Sequence, residues 1–164
     1  MVISPISRML LLGAALLTTG CAALSPYSGV TKLELTLTAQ DDLNPDLNGR
    51  PSPAVVKIFE LSHPVAFDNA DFFDLYDRPA QSLGTDLLAL EELELRPGDG
   101  KSLKLRTSAK GRYVAVLVAY RDVARSDWRY VVPIEPGQRS RKHLQLGRDG
   151  IQAQDAVASG EGRS

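Results

Sequence analysis

YVAVLVAY, residues 113–120, is apolar at every position. Side chains alternate across a strand, so Tyr113, Ala115, Leu117 and Ala119 face one side and Val114, Val116, Val118 and Tyr120 the other. Both faces therefore need cover. A two-layer sandwich buries only one face of each sheet, so a further element is expected to pack on the second side of this strand.

The other strands are read outward from it. In Val30–Ala39, Leu33, Leu35, Leu37 and Ala39 alternate with Lys32, Glu34, Thr36 and Thr38, the pattern of a strand with one buried face. Stretches 54–61, 87–95, 102–107, 128–132 and 142–146 are further strands, bounded by Pro, Gly or Asp. RPGDGK, 96–101, carries Pro-Gly and Asp-Gly and is read as closing a hairpin between two of them. FDNADFFDLYD, 67–77, is the helical candidate, with Asp68 or Asn69 as N-cap, Asp71 in the first turn and Phe72, Phe73 and Tyr76 on one face. Asp71 and Asp74 lie off that face and are read as a solvated acidic side. The expected architecture is mainly β: a two-sheet sandwich of seven to eight strands at 30–152, with a small helical insertion at 67–84. The small, polar residues 153–164 are expected to form a flexible tail.

The chain begins MVISPISRMLLLGAALLTTGC. One cation, Arg8, precedes an uncharged stretch too short to cross about 30 Å of hydrocarbon but of signal-peptide length. Residues 1–20 are therefore read as an export signal. Cys21 is the only cysteine, so it has no thiol partner within the chain. Two fates are open to it: acylation after cleavage before Cys21, or ordinary cleavage near Ala23 leaving a free thiol. Acylation is favoured, because Cys21 follows Gly20 where the apolar stretch ends and LLTTGC resembles the lipobox of bacterial lipoproteins; multiple acyl chains would then anchor stably where one does so only marginally. Residues 21–29 would then be a lipidated cysteine and a short tether.

Of 164 residues, 19 are basic and 20 acidic, a net charge of −1. No basic stripe suited to nucleic acid is visible. The mature length of about 145 residues supports one domain that buries roughly 68–70% of its unfolded surface without disulfides. His63 and His143 have no cysteine or carboxylate at ligand spacing. Glu91, Glu92 and Glu94 read as the outer face of a strand, and no nucleophile elbow appears. No catalytic residue, metal site or cofactor is expected, and the chain is read as non-enzymatic.

NPDLNGRPSP, 44–53, allows three readings. Asn44, Asp46, Asn48 and Gly49 match positions one, three, five and six of a calcium loop, but the twelfth position is Val55 where a bidentate glutamate belongs. A plain connector is the second reading, although structureless loops beyond about 12 residues are uncommon. The third is an interaction surface: Pro45, Pro51 and Pro53 stiffen the loop, and Leu43 and Leu47 would be apolar tips for a partner.

Together the lipobox ending at Cys21, LNPDLNGRPSPAVVKIFEL (43–61), FDNADFFDLYD (67–77), LRPGDGKSLKL (95–105) and RYVAVLVAYRDVARSDWR (112–129) resemble the type VI secretion outer-membrane lipoprotein family (TssJ/SciN). The resemblance implies a transthyretin-like sandwich with extra helices, tethered by acyl chains at Cys21 to the outer membrane and facing the periplasm. It implies a partner too, the periplasmic C-terminal domain of the large inner-membrane protein TssM. The contacts would come from Leu43, Asn44, Pro45, Asp46, Leu47, Asn48 and Gly49, within loop 41–53. Trp128 and Arg129 read as fold signatures. A different class of function, a carrier holding a small apolar ligand between the sheets, is the alternative.

Overall fold

The computed structural model describes residues 31–154. Cys21, the signal stretch, the tether and most of the expected tail lie outside the described residues.

Eight strands form two four-stranded sheets. The first sheet has β4 (Gly100–Arg106), β1 (Lys32–Ala39), β7 (Arg139–Leu146) and β8 (Ile151–Gln154) side by side. The second has β3 (Leu87–Leu95), β2 (Ala54–Leu61), β5 (Tyr113–Val118) and β6 (Arg129–Pro133). Pairing is antiparallel except between β1 and β7, which run parallel from Lys32↔Arg139 to Ala39↔Leu146. The sandwich is the expected one. Strand β8 extends through Gln154, past the point where the tail was expected to begin.

The alternation in β1 is realised as read: Leu33, Leu35, Leu37 and Ala39 are buried between the sheets, and Lys32, Glu34, Thr36 and Thr38 face outward. From the opposite sheet Val56, Ile58, Val114, Val116 and Val118 meet them. The other side of β5 and β2 carries Ala115, Leu117, Phe59 and Leu61, all buried in a second cluster with Phe67, Phe72, Leu75 and Leu83. Both faces of the run 113–120, of which Tyr113–Val118 is strand, are thus covered, the second by helices.

That cover is three short helices, α1 (Val65–Asn69), α2 (Phe72–Asp77) and α3 (Pro79–Leu83). None is long enough to be stable alone, so packing must hold them. Phe67 meets Phe59 edge to face with centroids 5.2 Å apart, and Phe72 meets Trp128 likewise at 5.2 Å. Two cations of the sheet bond the carbonyls at the helix ends, groups that lack intrahelical partners. Lys57 Nζ donates to Tyr76 O at 2.7 Å and pairs with Glu92 at 3.2 Å. Arg129 donates to Phe67 O and Ala70 O, both at 3.1 Å, while lying over the Trp128 ring.

Three expectations are corrected. The 96–101 turn does not close a hairpin: β3 and β4 pair in different sheets, and the turn docks on the end of β1 through Gly98 N–H to Ala39 O and Ala39 N–H to Asp99 O. The helical stretch is broken at Ala70, whose backbone is extended, so Asp68 and Asn69 lie inside α1 and Asp71 stands at the N-cap position of α2. Phe73 is 66% exposed; spacing of three and four residues from Phe72 selects Leu75 and Tyr76 for the buried face, and Phe73 turns away from it.

Candidate functional site

Loop 40–53 leaves the end of β1 at one pole of the sandwich. Leu43 is fully buried in the inter-sheet core, so it is an internal anchor and not the apolar tip expected. Its N–H donates to Gln40 O, and Ser52 N–H returns to Leu43 O. Asn44 follows with φ +47, a left-handed conformation that Asn tolerates better than most residues. Its buried side chain bridges two segments: Nδ2 donates to Pro53 O at 2.8 Å, and Oδ1 accepts the N–H of Arg121 at 2.8 Å.

Beyond Asn44 the loop folds on Asp46. Asp46 Oδ1 accepts the N–H groups of Asn48 at 2.8 Å and Arg50 at 2.9 Å, while Oδ2 takes the Arg50 guanidinium at 2.9 Å. Gly49, at φ +79, closes the turn by donating to Asp46 O. The Arg50 N–H holds the Asp46 carboxyl below its ordinary value; burial, second in size, opposes it, and the Asn48 N–H and the Arg50 side chain add to the lowering. Both oxygens of Asp46 are therefore engaged by the loop itself, which answers the calcium reading chemically. Leu47, by contrast, is fully exposed at the tip.

The loop forms one wall of a concavity of about 970 Å³, with Pro45, Leu47, Tyr120, Arg121, Arg125 and Arg148 among its lining residues. The other walls are the segment after β5 and the β7–β8 turn. Asp127 N–H donates to Asp149 O, and Ile151 N–H donates to Asp127 O, which ties those two walls together. Gly150 is required here, since a Cβ would fall 2.7 Å from Asp127 Cβ. Within the groove Arg125 is paired with Asp122 at 2.6 Å and Arg148 with Asp42 at 3.5 Å. The Arg121 guanidinium has no hydrogen bond or ion pair among the described residues. Tyr120 is buried, and burial first, then Asp149, Asp127 and Asp42, pushes its hydroxyl pKa upward.

Of the loop residues named from sequence, Asn44, Pro45, Asp46, Leu47 and Asn48 line the concavity and Leu43 and Gly49 do not; Tyr120, Arg121, Arg125 and Arg148, which also line it, were not named. The link between the loop and Arg121 is the Asn44 side-chain oxygen accepting the Arg121 N–H, a tertiary bond invisible to spacing.

Elsewhere the structure joins residues that sequence kept apart. Ser62 Oγ donates to Asp86 Oδ1 at 2.7 Å, and His63 Nδ1 lies 3.0 Å from the same oxygen. A hydrolytic triad needs the hydroxyl on the imidazole. Here serine and histidine both converge on the carboxylate, which they hold below its ordinary pKa, Ser62 contributing most. The group fastens the end of β2 to the turn at 84–86. A second concavity, about 130 Å³ and flanked by β3 and β4, falls below the roughly 300 Å³ at which small-molecule sites begin.

The family described as type VI secretion lipoprotein (VasD, EvfM, TssJ) matches residues 31–149, the whole sandwich up to the start of β8. The chain belongs to the type VI secretion lipoprotein family. Among solved structures, the T6SS lipoprotein TssJ1 from Pseudomonas aeruginosa is 32% identical with a TM-score of 0.74, covering 77% of this chain and 98% of its own. Serratia marcescens Lip, a membrane bound component of the type VI secretion system, is 25% identical with a TM-score of 0.73, covering 78% and 99%. A structure described as the T6SS protein TssM C-terminal domain from EAEC contains a chain 21% identical, TM-score 0.65, covering 77% and 99%, which speaks to fold alone. No curated protein matches the chain. The described residues contain both hydrophobic clusters that hold the two sheets and the helices together.

Proposed function

We propose that the protein is a non-enzymatic, lipid-anchored component of a type VI secretion machine. Cys21 carries the acyl chains, the outer membrane holds them, and the sandwich faces the periplasm. At the pole bearing loop 41–53 it binds the periplasmic C-terminal domain of TssM and so ties the trans-envelope complex to the outer membrane.

The observation that carries this reading is the loop itself. Asn44 and Asp46 hold it in one shape while Leu47, a large apolar side chain, stands in water beside a concavity. An ordered loop loses less entropy on binding, and an exposed apolar side chain next to a concavity is a natural anchor. The choice of partner follows from the type VI secretion lipoprotein family to which the chain belongs. The contacts are assigned to Pro45, Leu47, Asn48 and Gly49, with Leu43 and Asn44 acting beneath them as supports.

The anchor is tested by Cys21→Ser. The variant should lose lipid labelling and leave the membrane fraction while still co-purifying with the TssM domain. Retention in the membrane with no lipid lost would sink the lipoprotein reading.

A further inference from the structure

The outer face of the β4-β1-β7-β8 sheet is divided along its length. In the row nearest Thr31, Lys32 stands between Arg106 and Arg139; in the next outward row, Glu34 stands between Lys104 and Arg141. The following rows are uncharged: Thr36 between Ser102 and His143, then Thr38 between Gly100 and Gln145. Lys104, Arg106, Arg139 and Arg141 are exposed. The one carboxylate among these charges, Glu34, bonds Arg141 at 3.1 Å. Five cations against one anion is not a reflection of composition, since the chain as a whole carries −1.

The exposed Lys110 and Arg112 lie in the connection that follows, whose Thr107 N–H bonds Thr31 O. Glu60, Asp86 and Glu135 are carboxylates at this pole among the described residues; Glu60 is engaged by the Ser108 N–H at 2.7 Å, and Asp86 by Ser62 Oγ at 2.7 Å with His63 Nδ1 3.0 Å away. The basic rows are therefore at the pole where the chain enters the sandwich from the tether, opposite to loop 40–53.

Two outward rows of β1 span about 7 Å at roughly 3.3 Å per residue, within the ~8 Å over which charge acts at physiological ionic strength. The nine steps from Cys21 to Val30, at no more than about 3.6 Å each, reach at most roughly 32 Å, so this pole cannot stray far from the surface holding the acyl group.

We infer that this basic face lies against the anionic headgroups of that membrane, orienting the sandwich so that loop 41–53 points away from it. The inference rests on the lipoprotein reading for the position of the tether. Basic residues near an anionic bilayer are attracted individually and add to an acyl anchor.

The test uses the chain from Ala22 onward without an acyl group, sedimented with vesicles of phosphatidylcholine alone or with added phosphatidylglycerol. Binding is expected only to the anionic vesicles, weakened by salt, and reduced at least tenfold by Lys104→Glu/Arg106→Glu. The neutral pair Lys104→Gln/Arg106→Gln should give an intermediate loss. Arg78→Glu/Arg96→Glu, the same charge change away from this face, should bind nearly as the parent does, with all variants melting alike. Equal sedimentation with both vesicle types, or equal loss in both reversed pairs, would overturn the inference. Neither acylation nor TssM enters this measurement, so its failure would leave the proposed function to its own tests.

Discussion

Asn44 and Asp46 give loop 41–53 its shape by different means. Asn44 is buried and its two bonds cross to other segments, so Asn44→Ala strands the Pro53 carbonyl and the Arg121 amide. Leaving buried groups unpaired costs about 1–3 kcal/mol, to be read as a lower midpoint in chemical denaturation. Asp46 acts at the surface, and its carboxyl is held below the ordinary aspartate value of 3.8 by the Arg50 and Asn48 amides and the Arg50 side chain. A depressed folded pKa gives stabilisation that is fully present above the unfolded value and lost as pH falls through the folded one. The stability difference between the parent and Asp46→Asn should thus be constant near neutral pH and close only below 3.8. A difference that instead closed on raising the pH would show that the carboxylate is not what orders the turn. At this scale sequence was a partial guide. The oxygen spacing at 44–49 was visible, but a lone Leu43 after the end of a strand does not declare its direction, and the structure buries it.

At the scale of elements, the strand pattern was legible because alternation is a direct consequence of one face meeting the core. Leu33, Leu35 and Leu37 reveal β1, and the unbroken apolar run 113–120 correctly demanded a second covering layer. What that layer consists of was less legible, since helices of five or six residues carry little periodic signal. Pro-Gly and Asp-Gly at 97–100 announced a turn, yet turn chemistry does not say whether the next strand pairs with the last one or crosses to the other sheet. The helices hold through packing and through Lys57 and Arg129, whose bonds end on helix carbonyls. Arg129→Met leaves the Phe67 and Ala70 carbonyls without that donor, and a loss of about 1–3 kcal/mol is expected. Hydrogen exchange should locate the loosening in residues 65–83, with β1 and β7 unaffected. Uniform destabilisation with no local change would place Arg129 in the main core and not at the helical layer.

On the scale of the whole molecule the sandwich has two unlike poles. One receives the chain from the tether and bears the cationic rows around Lys32; the other carries loop 41–53, the turn beyond β5 and the β7–β8 turn around a groove. A rigid two-sheet body between them sets the spacing, β1 alone running about 25 Å at roughly 3.3 Å per residue. This polarity was not readable from the chain, because neither end of a strand is marked as up or down until parallel β7 and antiparallel β4 are laid beside β1. In the proposed function this polarity would let one small domain connect a membrane to a second protein. The proposed contact with that second protein is made through the exposed tip of the loop. Its most direct measurement is the dissociation constant between the chain from Ala22 onward and the TssM C-terminal domain, compared with Leu47→Ser, which leaves the buried supports intact and should keep the melting temperature. Binding by the parent and at least a tenfold loss in Leu47→Ser, about 1.4 kcal/mol, is the expected result. Equal affinity for both would remove the loop tip from the interface, and no binding by either would contradict the partner itself.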